Sequence, residues 1–204
     1  MKKWIADHHR FILGFLIAHL LLFFSFEDKT VFWYFFTASM LVLVSYTIVH
    51  EEFEDKVPLA SYLSIGVVSG LFLFGAFWGG NYLIGLLNLP FSGQVSRLYS
   101  RFSPDALWHY FVLVLIIAPG EEIFWRGFIQ KRLLNNTNIW SAIIVSSIMY
   151  ATVHIYSGQF ILVLAAFAAG LVWSALYAWK RSIPLVIISH VTFDLLLFVF
   201  LPFY

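Results

Sequence analysis

The sequence predicts an all-α polytopic membrane helix bundle of about seven transmembrane helices. Three observations carry that expectation. Apolar residues make up 61% of the 204 and charged residues only 11%, against about 25% charged in an ordinary soluble domain. The mean hydropathy is +0.86, so a bilayer must act as the solvent for much of the apolar surface. The few charges recur at intervals that mark turns between apolar runs of spanning length. At this size the chain reads as one membrane-embedded domain, 1–204, with no room for a second soluble domain.

The first span covers 11–26. It follows a basic start, Lys2, Lys3 and Arg10, like a signal sequence. No small-x-small site follows at Ser25-Phe26-Glu27-Asp28, so it reads as retained. The second span is 31–49, followed by a polar turn at 51–56. The third covers 59 to about 78, with Gly79-Gly80 as a break and 81–88 as a short interfacial helix. Residues 90–101 read as the longest loop. Ser103-Pro104-Asp105 reads as a helix start, with Ser as cap and Pro in the first turn. The fourth span covers about 106–130, and Pro119-Gly120 marks the start of a second half-helix within it. Residues 133–179 carry no Asp, Glu, Lys or Arg. That stretch holds two spans, split at Tyr156-Ser157-Gly158-Gln159. Ala166, Gly170 and Ser174 form a small-residue face on the sixth. The seventh runs from about 183 to 203. With the N-terminus inside, the inner segments hold Lys2, Lys3, Arg10, Lys56, Lys131, Arg132, Lys180 and Arg181. The outer ones hold Lys29, Arg97 and Arg101. The positive-inside rule therefore favours N-in and C-out, and the short loops look bacterial, which points to a bacterial cytoplasmic membrane.

A net charge of +1 gives no case for nucleic acid. The absence of cysteine excludes disulfides, thiol catalysis, Cys-ligated zinc and iron–sulfur clusters. Four charges stand inside apolar spans: Glu121, Glu122, Arg126 and Asp194. His154 and His190 fall in apolar runs as well. An intramembrane charge costs about 2.5 kcal/mol or more, and such residues usually face the protein interior and serve function. Glu122 and Arg126 share a helix face at i,i+4 spacing, as do His190 and Asp194. Glu121 lies about 100° round from Glu122. Three carboxylates against one Arg leave a net negative charge that a buried site must offset by sharing protons or by binding a divalent cation. Both solutions suit hydrolysis. Simpler readings exist for some residues. Arg126 could snorkel to the inner interface, His154 could be interfacial, and His190 with Asp194 could serve helix packing. The other histidines, His8, His9, His19, His50 and His109, read as structural.

Glu121-Glu122-Ile123-Phe124-Trp125-Arg126 resembles the EExxxR motif of the CPBP (Abi) intramembrane endopeptidases. That group includes the type II CAAX prenyl proteases and bacteriocin-processing or immunity-type proteins. Tyr150 to His154 is similar to the second family motif, with Tyr where Phe is usual. His190 to Asp194 is similar to the third, with Asp in place of Asn. The likeness covers about 105–200. It implies a membrane-embedded peptidase acting on a peptide or membrane-anchored protein within the lipid bilayer. In that reading Glu121 is the general base, His154 helps to hold water, and Glu122 pairs with Arg126. His190 and residue 194 stabilise the oxyanion. An ionised Asp cannot donate a hydrogen bond as Asn can, so Asp194 is expected to orient His190 instead. No cofactor is expected. The alternative is a divalent cation such as zinc on Glu121, His154 and His190, although no HExxH is present. Two rival functions remain: a non-catalytic scaffold or immunity protein of the same fold, and an ion or proton transporter. Counted from the inner span ends, His190 lies about 10 Å deep, Glu122 about 17 Å and His154 about 24 Å. A single site requires these to converge.

Overall fold

The computed structural model describes residues 2–53, 55 and 57–203, with side chains from residue 8 onward. Among them the secondary structure is helical throughout, with no strand. Helix α1 is Lys2–Glu27 and α2 is Phe32–His50. Helix α3 runs Leu59–Leu86, α6 Ile139–Ser157 and α8 Ile183–Phe200. The short α4 is Ser92–Phe102 and α7 is Phe160–Lys180. Helix α5 covers 107–136 without interruption. Six of these helices (α1, α2, α3, α6, α7 and α8) are long and apolar enough to cross a membrane. Helix α5 reaches about 45 Å at 1.5 Å per residue, more than the hydrocarbon core, and it carries the intramembrane charges. Each of the seven expected spans therefore has its helix.

The ends follow local chemistry. Asn138 caps α6 by accepting from the Ser141 amide, and Ser182 caps α8 by accepting from Leu185, with Pro184 in the first turn. Gly158 ends α6 in the left-handed region (φ 68°), where a residue without Cβ is unstrained. Four expectations need correction. Residues 90–101 are not a loop: Val95, Leu98, Tyr99 and Phe102 recur on one face, opposite Ser96, Arg97, Ser100 and Arg101, and this amphipathic pattern winds α4. Gly79 and Gly80 do not break α3. A Cβ at either would meet nothing, and an unbroken helix keeps its backbone groups paired in lipid. Ser103 does not cap α5. The cap position is Ala106, and the ring of His109 accepts from the amides of Asp105 and Ala106 at 3.2 Å each. Pro119-Gly120 does not begin a separate half-helix. The backbone stays helical through it and widens into π-wound turns before and after, at Leu113–Ile117 and Trp125–Gln130. Widening accommodates the proline ring, which would otherwise strike a carbonyl one turn earlier.

Helix α5 starts on the perimeter, with Leu107, Phe111 and Leu115 exposed, and then runs through the middle of the bundle. From Ala118 to Gln130 every residue except Pro119 and Ile123 is buried. Around it α7 packs on α6 through the expected small face. A Cβ on Gly170 would come within 3.2 Å of the Tyr150 ring and 3.3 Å of Ser147. Ser174 hydrogen-bonds Ser146 and Ser147. At one end Glu51 pairs with Lys131 (2.9 Å) and Arg132 (2.6 Å), and Ser182 donates to Asp55. Arg10 joins this end through its carbonyl, which accepts from Tyr46. Several of the expected inner basic residues thus gather together. Glu54 and Lys56 of the same turn lie outside the described residues.

Helix α3 meets α8 at Gly66 and Gly70. A Cβ on Gly70 would lie 2.5 Å from the Ser189 carbonyl oxygen and 2.7 Å from Thr192 Cβ. Backbone cannot yield as a flexible side-chain tip can. Gly70→Ala is therefore expected to destabilise the protein by about 1–3 kcal/mol and to displace His190, the next residue along α8. Thermal unfolding in detergent measures the first effect. A melting temperature equal to that of the wild type would show that the α3–α8 contact is looser than this.

Candidate active site

Three motifs meet at the centre of the bundle. Helix α5 supplies Glu121, Glu122 and Arg126, α6 supplies Tyr150 and His154, and α8 supplies His190 and Asp194. All six of the charged and imidazole side chains are at most 6% exposed, so Arg126 does not snorkel to water and both histidines face the protein interior.

Glu122 is the hub. Arg126 Nη1 donates to its Oε1 at 3.3 Å, and Nε faces Oε2 at 3.2 Å. His190 Nδ1 lies 2.8 Å from Oε1. A carboxylate only accepts, so Nδ1 carries the hydrogen. Glu122 fixes the ring of His190, while Asp194 Oδ2 lies 3.6 Å from the other nitrogen, Nε2. Arg126 also reaches the Gly170 carbonyl at 3.4 Å and lies over the rings of Tyr150 (4.8 Å) and Trp173 (5.5 Å). A guanidinium so buried is held by one carboxylate, one carbonyl and two aromatic faces.

Glu121 points elsewhere, as its 100° offset requires. Its Oε2 accepts from the Tyr150 hydroxyl at 2.9 Å and lies 3.8 Å from His190 Nε2. His154 Nδ1 donates to the Tyr150 carbonyl one turn back at 2.9 Å. Its Nε2 is therefore left as an acceptor when the ring is neutral. Trp173 of α7 stacks on His190 at 3.8 Å between centroids, and its indole N–H donates to Ser189. Glu121, Tyr150, His154, Trp173, His190 and Asp194 all line one cavity of about 420 Å³. The rest of that cavity is mainly apolar, with walls from α1 to α4 and α7 that include Phe26, Phe36, Phe77 and Leu98.

The depths now agree. Helix α5 continues to Asn136 and α6 starts at Ile139, so Glu122 and His154 stand about 21 and 22 Å from those ends. Ile183 lies beside Gly127, so α8 begins well inside the bundle. Seven residues further, about 10 Å, His190 is level with the glutamates. The assumption that failed was a common plane for the inner helix ends.

Sequence reasoning did not find Trp173 or the Glu122–His190 bond. Nothing in the spacing marks Trp173 among eight tryptophans, and a bond between α5 and α8 has no local pattern. Tyr150 was visible only as a departure from a motif. Among the described residues no three of His, Asp or Glu converge as a metal requires.

A helical bundle that crosses a membrane and buries a carboxylate–imidazole–guanidinium cluster beside an apolar cavity defines a class of membrane-embedded site protein. Residues 103–196, just under half of the chain, match the family model described as type II CAAX prenyl endopeptidase Rce1-like. This is the family that the three motifs resemble, and the matched segment contains all of them. Over that segment the chain is similar to CAAX protease-like membrane proteins, and six of its helices are long and apolar enough to cross a membrane. No curated protein and no solved structure matches it.

Proposed function

We propose that the protein is an intramembrane endopeptidase that hydrolyses a peptide bond with water activated by Glu121. The observation that carries this reading is the division of labour between adjacent carboxylates. Glu122 is engaged by Arg126 and His190 and lies outside the cavity lining, where it organises the site. Glu121 faces the cavity with one hydroxyl on it and retains acceptor capacity for water. A buried carboxylate with a free lone pair in a water-poor cavity is what a general base requires.

In the first step Glu121 takes a proton from water as the water oxygen attacks the scissile carbonyl carbon. The carbonyl π bond opens and the negative charge moves to its oxygen. In the second step the oxyanion collapses, the C–N bond breaks, and the departing nitrogen takes the proton from Glu121. His154 Nε2, an acceptor, holds the second hydrogen of the attacking water. Glu122 keeps the His190 ring in place, and Arg126 offsets the added negative charge. No step is routed through a metal. The apolar cavity wall suits a hydrophobic peptide segment or a membrane-anchored precursor, and the distribution of basic residues supports an N-terminus on the inner side.

The test is cleavage of a fluorescence-quenched peptide library by the purified protein in detergent, with the Glu121→Gln protein prepared identically as control. Cleavage by the wild type alone supports the reading. Equal traces from two folded proteins would move it to the scaffold or immunity alternative. Prior dialysis against a chelator is expected to leave the rate unchanged. A loss restored by added zinc would overturn the metal-free route.

A further inference from the structure

Any carbonyl addition creates an oxyanion, which needs hydrogen-bond donors close to the general base. The polar wall of the cavity offers few. The carboxylates of Glu121 and Asp194 accept only, when ionised. His154 commits its Nδ1 hydrogen to the Tyr150 carbonyl and His190 commits its own to Glu122. Trp173 donates to Ser189, and Tyr99 to the Leu197 carbonyl. Asn81 also lines the cavity, from α3 and beside Leu201 and Pro202, with no contact to Glu121. The Tyr150 hydroxyl differs from all of these. It lines the cavity, it is a donor, and its oxygen is 2.9 Å from the Glu121 atom that would receive the proton from water.

We propose that Tyr150 is a catalytic residue whose hydroxyl, donated to Glu121 at rest, turns to the substrate oxyanion during turnover. The proposal rests on the peptidase reading above. Two departures from the resembled motifs then explain each other. Asp194 removes an amide donor, and Tyr150 adds a hydroxyl donor, in one cavity. When Glu121 takes the proton from water it no longer needs the hydrogen bond from Tyr150, at the moment when charge appears on the carbonyl oxygen nearby. Tyr150 keeps its own proton throughout. It transfers a hydrogen bond, so the atoms and charges balance as written for the two steps. The ring is held for this task by Trp125 at 5.5 Å, His154 at 4.9 Å and the Arg126 guanidinium at 4.8 Å.

The experiment compares wild type, Tyr150→Phe, Asp194→Asn and the double variant on a peptide that the wild type cleaves. Phe keeps the ring and its neighbours and deletes only the donor. Tyr150→Phe is expected to lower kcat by about 10²-fold, with KM unchanged, since the lost interaction exists only in the transition state. Adding Asp194→Asn is expected to recover about tenfold of that by returning an amide donor. A Tyr150→Phe protein with kcat within about threefold of wild type would overturn the proposal. So would a fall in kcat that tracks a fall in melting temperature, or a double variant no better than the single. A wild type that cleaves nothing would instead sink the peptidase reading itself, so the two failures are distinct.

Discussion

Replacing Glu121 by Gln is expected to lower kcat by about 10³-fold while the protein stays folded. The argument depends on what surrounds this side chain. Its hydrogen bond to a protein donor comes from Tyr150, and the amide oxygen of Gln can accept it unchanged. Its surroundings are otherwise mainly apolar, so a neutral side chain is no harder to bury than a charged one. Gln cannot take a proton from water, however, and the adjacent carboxylate is engaged elsewhere. Glu122 is bound to Arg126 and His190. Initial rates on a cleaved peptide, with thermal unfolding as the control, measure this. A variant that retained about a third or more of the wild-type kcat would place the base elsewhere.

The second large effect concerns stability. Arg126→Met is expected to destabilise the protein by about 3–5 kcal/mol, because it leaves the carboxylate of Glu122 buried without its cation. Glu122 is 0% exposed and Arg126 1%, so neither can reach water by a small adjustment. The double variant Glu122→Gln with Arg126→Met removes both charges and is expected to unfold later than the single one. Unfolding followed in mixed detergent at increasing denaturing fraction gives the order. If the single and double variants unfold together, the pair contributes little and another group compensates Glu122.

Much of this was readable in one dimension. Seven spans follow from where charges interrupt apolar runs. The membership of the site follows from four charges that a bilayer would not tolerate without purpose. The i,i+4 pair Glu122–Arg126 is a purely local contact, and it forms as the spacing requires. The failures share a cause. Helix α4 was hidden because it is short and polar on one face, so it lacks the length and apolarity that mark a span. The contact of Asp194 with His190 was visible from its position one turn away, but the bond from Glu122 was not. In the folded chain Glu122, on another helix, is the nearer partner of that ring. Trp173 and Gly70 act through contacts across helices, which no window of sequence contains. The depth mismatch came from treating helix ends as coplanar, whereas α8 begins beside Gly127, inside the bundle.

The widened turns of α5 carry a consequence for how that helix can change over time. A π-wound turn holds one residue more than an α turn of similar rise, so each behaves as a one-residue insertion absorbed without breaking the helix. One stands before the glutamates and one after. Deleting a residue within 113–117 would restore plain winding and leave the flanking turns in phase, whereas deleting one at 119 or 120, where the winding is already α, would rotate everything before it by about 100° relative to the carboxylates. Leu107, Phe111 and Leu115, which now face outward, would swing toward the bundle, and the buried face would turn to lipid. The two turns therefore set the phase between the outer and inner halves of one helix. Between the two turns, residue number is constrained as tightly as residue identity.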